Sequence, residues 1–84
     1  MKETKTKKGH IVFEVQAEET FKLGGLGICD ECYDIVYGTG YLVPVLNNFQ
    51  CPNCHKEWIG FANYYEEDKE FEEKMANFFR TVLK

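Results

Sequence analysis

Four cysteines carry the clearest chemistry in this chain, and they are all the cysteines it has. They stand as two identical pairs, Cys29-Asp30-Glu31-Cys32 and Cys51-Pro52-Asn53-Cys54. A Cys-x-x-Cys turn offers two sulfurs to one ion, and two such turns complete a tetrahedral thiolate shell. Residues 33–50 separate the pairs, within the roughly 15–20 residues usual for four-cysteine metal sites. The pattern predicts one structural Zn2+ held by Cys29, Cys32, Cys51 and Cys54. With four sulfurs in place no position stays open for water or substrate, so such a metal supplies folding energy and not catalysis.

Three other uses of the cysteines compete with this reading. Cys51-Pro52-Asn53-Cys54-His55 matches the string for covalent haem attachment, but it leaves Cys29 and Cys32 without a role. A thioredoxin-like redox pair needs a βαβ setting, which neither pair has. Iron, alone or in a cluster, also takes four thiolates. Rubredoxin-type knuckles usually carry glycine after the second cysteine, where Tyr33 and His55 stand here. The reading leans to zinc, and spacing alone leaves zinc and iron open.

No other residues assemble a catalytic set. His10 reads as a surface residue at the start of a strand. His55 reads as a neighbour of an already filled metal shell. Gly38-Thr39-Gly40 lacks the remaining positions of a phosphate loop. We expect no enzyme.

The chain of 84 residues is long enough for one domain, and a core that small gains from a staple. Residues 1–8 carry four lysines against one glutamate, a charge of +3. The remainder carries six basic and thirteen acidic residues, a charge of −7. An acidic body repels phosphate backbones, which makes nucleic acid an unfavoured partner. No secretory signal is visible and no apolar run reaches membrane-spanning length, so the expectation is a cytoplasmic protein in which thiols stay reduced. Residues 1–9 read as a disordered basic tail, and residues 10–84 as a single zinc-binding domain.

The elements that must position the cysteines are then read from periodicity. Residues 10–17 alternate, with Ile11, Phe13, Val15 and Ala17 on one side, as in a half-buried strand. Glu18-Glu19-Thr20 reads as a turn and Phe21–Leu23 as a short second strand. Ile35–Tyr37 and Tyr41–Val43 are β-rich and flank Gly38-Thr39-Gly40, which suggests a hairpin. Asn47-Asn48 marks a further turn. Pro52 opens a helix in which Cys54, Trp58, Phe61, Ala62 and Tyr65 share a face. A strand through Glu57, Ile59 and Phe61 is the weaker alternative. A second, amphipathic helix spans residues 66–84, with Phe71, Met75, Phe78, Phe79, Val82 and Leu83 as its apolar stripe. Its acidic start and basic end (Arg80, Lys84) suit the helix dipole.

The order knuckle, β-hairpin, second cysteine pair opening a helix resembles a treble-clef zinc finger over residues 29–65. The implied fold is a small α+β zinc-stabilised domain with an extra N-terminal strand and a C-terminal amphipathic helix. GATA-type fingers are similar in spacing, but the basic residues that follow their second pair are absent here. Gly40-Tyr41-Leu42-Val43-Pro44-Val45-Leu46-Asn47, Cys51-x-x-Cys54, Trp58 and Tyr64-Tyr65-Glu66-Glu67-Asp68 are similar to small uncharacterised zinc-finger proteins of phages and prophages of low-GC Gram-positive bacteria. That resemblance covers roughly residues 26–83 and implies a zinc site and an accessory or regulatory role. The function expected is a protein-interaction module, meeting a protein partner or a second copy through the C-terminal helix and Tyr37, Tyr41, Tyr64 and Tyr65. One Trp, five Tyr and seven Phe are more than a small core readily buries, so some are expected at the surface. An acidic nucleic-acid mimic that blocks a host nuclease or defence complex, and a nucleic-acid-binding finger, are the alternatives.

Overall fold

The run Ile11–Gln16 builds the centre of the molecule because it can bury both of its faces. In the computed structural model, which describes residues 1–83, this run is strand β2. It lies in a four-stranded antiparallel sheet with β1 (Lys2–Lys5), β3 (Thr39–Val43) and β4 (Asn48–Gln50), in the spatial order β1-β2-β3-β4. Ile11, Phe13 and Val15 join Leu42 and Phe49 under the second helix, α2 (Lys69–Val82), which contributes Ala76 and Phe79, with Leu83 just beyond its end. Val12 and Val43 project to the opposite face, where the first helix, α1 (Pro52–Phe61), supplies Trp58 and Ala62 follows it. The strand expected to be half-buried is therefore covered on both sides along most of its length, the pattern of a strand between two layers.

The basic N-terminal segment is not a disordered tail. Lys2–Lys5 pairs with β2, Glu3 opposite Phe13 and Thr4 opposite Val12. The Arg80 guanidinium donates two hydrogen bonds to the Glu3 carboxylate, at 2.8 and 2.6 Å, tying this edge strand to α2. Lys2 and Lys5 on an outer strand oppose edge-to-edge pairing with other chains.

Phe21–Leu23, read as a short strand, lies inside a 3₁₀ helix spanning Ala17–Leu23. The hairpin also falls elsewhere. Gly38, with φ 88°, turns the chain into β3, and Gly40 lies within that strand opposite Val15. The true hairpin is β3–β4, closed by Pro44–Asn47 with Leu46 N–H donating to the Val43 carbonyl at 3.1 Å. Gly40 is there for packing. A Cβ on it would lie 2.3 Å from Cζ of Phe49, so only glycine lets that ring cross the sheet surface.

The helix reading after Cys51 holds, but α1 stops at Phe61. Ala62 is extended, and its carbonyl accepts from the Lys8 ammonium. Phe61 and Tyr65 consequently point outward. The C-terminal stripe is also turned by about one position. The residues that α2 buries are Glu72, Ala76 and Phe79, while Phe71 and Phe78 are half exposed. The cause is a polar pair. His10 Nδ1 and the Glu72 carboxyl are hydrogen-bonded at 2.9 Å inside the core, and His10 Nε2 donates to the Asn63 carbonyl at 3.1 Å. His10, expected on the surface, is 3% exposed and packs between Trp58 and Tyr64. Lys84 lies outside the described residues.

Candidate metal centre

Two short backbone devices present the four sulfurs. In the first, Ile28 and Ile35 pair across an isolated antiparallel bridge. Cys29 N–H donates to the Asp34 carbonyl at 2.9 Å, and Tyr33 N–H donates to the Cys29 carbonyl at 2.8 Å. The chain must reverse between these bonds, and Tyr33 does so with φ 64°, a left-handed conformation that side chains other than glycine adopt at a cost. In the second device Cys51 caps α1. Its extended backbone leads into Pro52 at the first helical position, and its Sγ accepts from Cys54 N–H at 3.4 Å. Proline suits this place because the helix needs no donor there.

Asp30 holds the two devices in register. Its backbone N–H donates to the Phe49 carbonyl at 2.8 Å, and its carboxylate accepts from Phe49 N–H at 2.7 Å. The first knuckle is thus stitched to β4, whose end leads directly into Cys51. Asn48 adds a hydrogen bond to Glu31 at 2.9 Å.

The result is convergence. The Sγ atoms of Cys29, Cys32, Cys51 and Cys54 all lie within 4.8 Å of one another, with Cys32 and Cys51 at 3.8 Å. All four are free thiols, and 3.8 Å is far beyond the roughly 2.05 Å of a disulfide. Cys29 is fully buried, Cys51 and Cys54 are partly buried, and Cys32 faces solvent. Burial resists ionisation of Cys29, yet the backbone amides of Cys32, Cys51 and Glu31 outweigh it and hold the thiol down to about 7. Cys54 moves the other way, pushed up by the Cys51 thiol beside it and then by burial. Four thiolates this close repel one another unless a cation lies among them. The donor set therefore fits a thiophilic metal ion. Among the described residues no other three or more His, Cys, Asp or Glu side chains converge in this way.

The site rests on residues that the cysteine spacing does not reveal. His55 is not a ligand in waiting. Its Nδ1 donates to Gln50 Oε1 at 2.9 Å, its ring stacks on Tyr41 at 4.1 Å, and burial pushes its pKa down. This stack fixes the first turn of α1 against β3. Of the four tyrosines expected at the surface, Tyr37 and Tyr65 are exposed, while Tyr41 and Tyr64 are partly covered by His55 and His10. Asp30 sits beside a cysteine in sequence, but nothing in its neighbours distinguishes it from a solvated acid.

No helix among the described residues is long and apolar enough to cross a membrane. No protein-family model, curated protein or solved structure matches the chain.

Proposed function

We propose that this chain is a non-enzymatic, zinc-binding protein-interaction module. The observation that carries the proposal is the convergence of four free cysteine sulfurs from two Cys-x-x-Cys turns. Sulfurs placed about 2.3 Å from a tetrahedral zinc ion are separated by about 3.8 Å, the distance between Cys32 and Cys51. Zinc held by Cys29, Cys32, Cys51 and Cys54 would clamp the first knuckle to α1 and supply folding energy. In zinc-finger peptides that energy is on the order of 10 kcal/mol. Two thiolate pairs fill a tetrahedral shell, which supports a structural metal over a catalytic one.

The order of elements around the cysteines supports a treble-clef-like reading: knuckle, β3–β4 hairpin, then a helix opened by the second pair. The interaction role is supported by the aromatic and aliphatic side chains left outside the core, among them Phe21, Leu26, Ile35, Tyr37, Phe71 and Phe78. An accessory or regulatory role of the phage type and a cytoplasmic setting belong to the same proposal.

Cobalt substitution tests the site. Tetrahedral Co2+–thiolate absorption at one equivalent per chain, displaced by Zn2+ and weakened by Cys54→Ser, is the expected result. An octahedral spectrum, or one unaffected by Cys54→Ser, would refute the assignment. Binding to generic DNA at low salt, lost as salt rises, would favour a nucleic-acid-binding finger instead.

A further inference from the structure

The sulfurs of Cys32 and Cys51 belong to different backbone devices and lie 3.8 Å apart. Hydrogen bonds elsewhere keep the two devices together. Asp30 exchanges two bonds with Phe49, its N–H donating to the Phe49 carbonyl at 2.8 Å and its carboxylate accepting from Phe49 N–H at 2.7 Å. Each of the two cysteines stands two residues beyond one member of that pair. Asn48 donates to the Glu31 carboxylate at 2.9 Å alongside. The approach of Cys32 to Cys51 is therefore built into the chain.

The four cysteines differ in what can reach them. Cys29 is fully buried and belongs to the same core cluster as Phe13, Leu42 and Phe49, so no solute meets its sulfur. Cys51 and Cys54 are partly buried, and Cys32 faces solvent. The Cys32 sulfur touches Asp34 Oδ2 at 3.7 Å and Cys51 Sγ at 3.8 Å. An accessible cysteine beside a second one that resolves it is the arrangement of a redox-sensing pair. A disulfide needs the sulfurs at about 2.05 Å. Because Cys32 is exposed, its side chain can rotate to close the gap without displacing a packed neighbour.

We infer that Cys32 and Cys51 form an oxidation site, at which a hydroperoxide produces a disulfide joining the first knuckle to the start of α1. The inference rests on the zinc reading and deepens it by giving that site a redox regulation. Cys32, deprotonated as a metal ligand must be, attacks the peroxide. An S–O bond forms, the O–O bond breaks, and the departing hydroxide takes a proton from solvent and leaves as water. The Cys51 sulfur then attacks the sulfenic acid on Cys32. The S–S bond forms, the S–O bond breaks, and the second hydroxide leaves as water with another solvent proton. Two thiolates thus lose two electrons, and one hydrogen peroxide becomes two waters. Two of the four metal ligands are consumed, so metal binding weakens, while the new bond ties the same two devices together. Oxidation exchanges one clamp for another, and a thiol reductant reverses the exchange.

The test starts from reduced, zinc-loaded, full-length protein treated with about one equivalent of hydrogen peroxide per chain. Remaining thiols are alkylated, the disulfide is located by fragmentation mass spectrometry, and a chromogenic chelator reads the zinc released. The expected result is an intramolecular Cys32–Cys51 disulfide, zinc release in proportion to it, a retained circular dichroism signal and full reversal by dithiothreitol. Dimedone present during the oxidation should label Cys32 and suppress the disulfide. A disulfide within either Cys-x-x-Cys turn would overturn the inference, as would one between the Cys32 residues of two chains. So would a dimedone label on another cysteine, or thiols that survive about a tenfold excess of peroxide. Absence of zinc from the reduced sample, measured before peroxide is added, would instead refute the reading on which the inference rests.

Discussion

Gly40→Ala and Gly60→Ala make the same chemical change and should have opposite effects. Gly40 lies in β3, where an added Cβ would sit 2.3 Å from Cζ and 2.4 Å from Cε1 of Phe49, with the Gln50 carbonyl at 3.2 Å. Carbon–carbon contacts become comfortable at about 3.5 Å, so the ring must retreat by roughly 1 Å. Phe49 has little room to move. It is 5% exposed and packs in the same cluster as Leu42, Phe79 and Cys29. Its backbone also carries both hydrogen bonds with Asp30 that hold the first knuckle, one accepted and one donated. Overpacking of this kind costs about 1–3 kcal/mol, against about 0.5–1 kcal/mol gained by removing a strand glycine. The net loss is centred on about 1 kcal/mol, within a span of about 0–2.5 kcal/mol. Gly60 lies in α1 with nothing within 4 Å of a new Cβ. Alanine there should add about 0.5–1 kcal/mol through helix propensity. Thermal unfolding of the metal-loaded variants by circular dichroism reads both, at roughly 4–8 °C per kcal/mol for a domain of this size. Gly40→Ala melting at or above the wild type, or Gly60→Ala melting below it, would refute the packing argument.

Three further outcomes follow from other parts of the structure. Glu72→Ala leaves the buried His10 Nδ1 without its partner and should cost about 1–3 kcal/mol in urea denaturation, with His10→Phe/Glu72→Leu recovering much of it. Additive effects in that cycle would mean that the two groups do not interact. Arg80→Ala should cost at most about 1 kcal/mol, because the pair with Glu3 is partly exposed and such pairs contribute little. The hydrogen bond from Arg80 holds the Glu3 carboxyl below its ordinary value. Its contribution is therefore present above the unfolded carboxylate pKa and lost as pH falls through the lowered folded value. A difference between wild type and variant that persists at pH 2 would contradict this. Tyr33→Gly removes a left-handed side-chain conformation that costs about 1–2 kcal/mol. Glycine returns about 0.5–1 kcal/mol of that as chain entropy, so the variant should be no less stable than the wild type. A clear loss of stability would show that the exposed Tyr33 ring packs on the knuckle.

The cysteine cluster could be read from the sequence because its signal is local: identical turns, residue types and spacing. The helix opened by Pro52 and the existence of α2 were legible for the same reason, since capping and 3.6-residue periodicity act over a few residues. What failed was long-range. His10 looked exposed because its partner Glu72 is distant in sequence, and the same hidden pair rotated the apparent apolar stripe of α2 away from Phe71 and Phe78. Residues 1–9 looked like a solvated tail because nothing in Lys2–Lys5 announces β pairing; the strand forms because β2 offers an edge and Arg80 meets Glu3. Gly40 looked like a turn residue because close approach by Phe49 leaves no trace near it in the chain. Asp30 and Gln50, which brace the metal centre, share this invisibility.

The proposed site holds one structural zinc ion per chain at Cys29, Cys32, Cys51 and Cys54. Native mass spectrometry before and after a strong chelator, with circular dichroism on the same samples, tests it most directly. The expected result is one zinc per chain, released together with loss of the folded signal. A folded, metal-free protein with two disulfides, or iron in place of zinc, would contradict it.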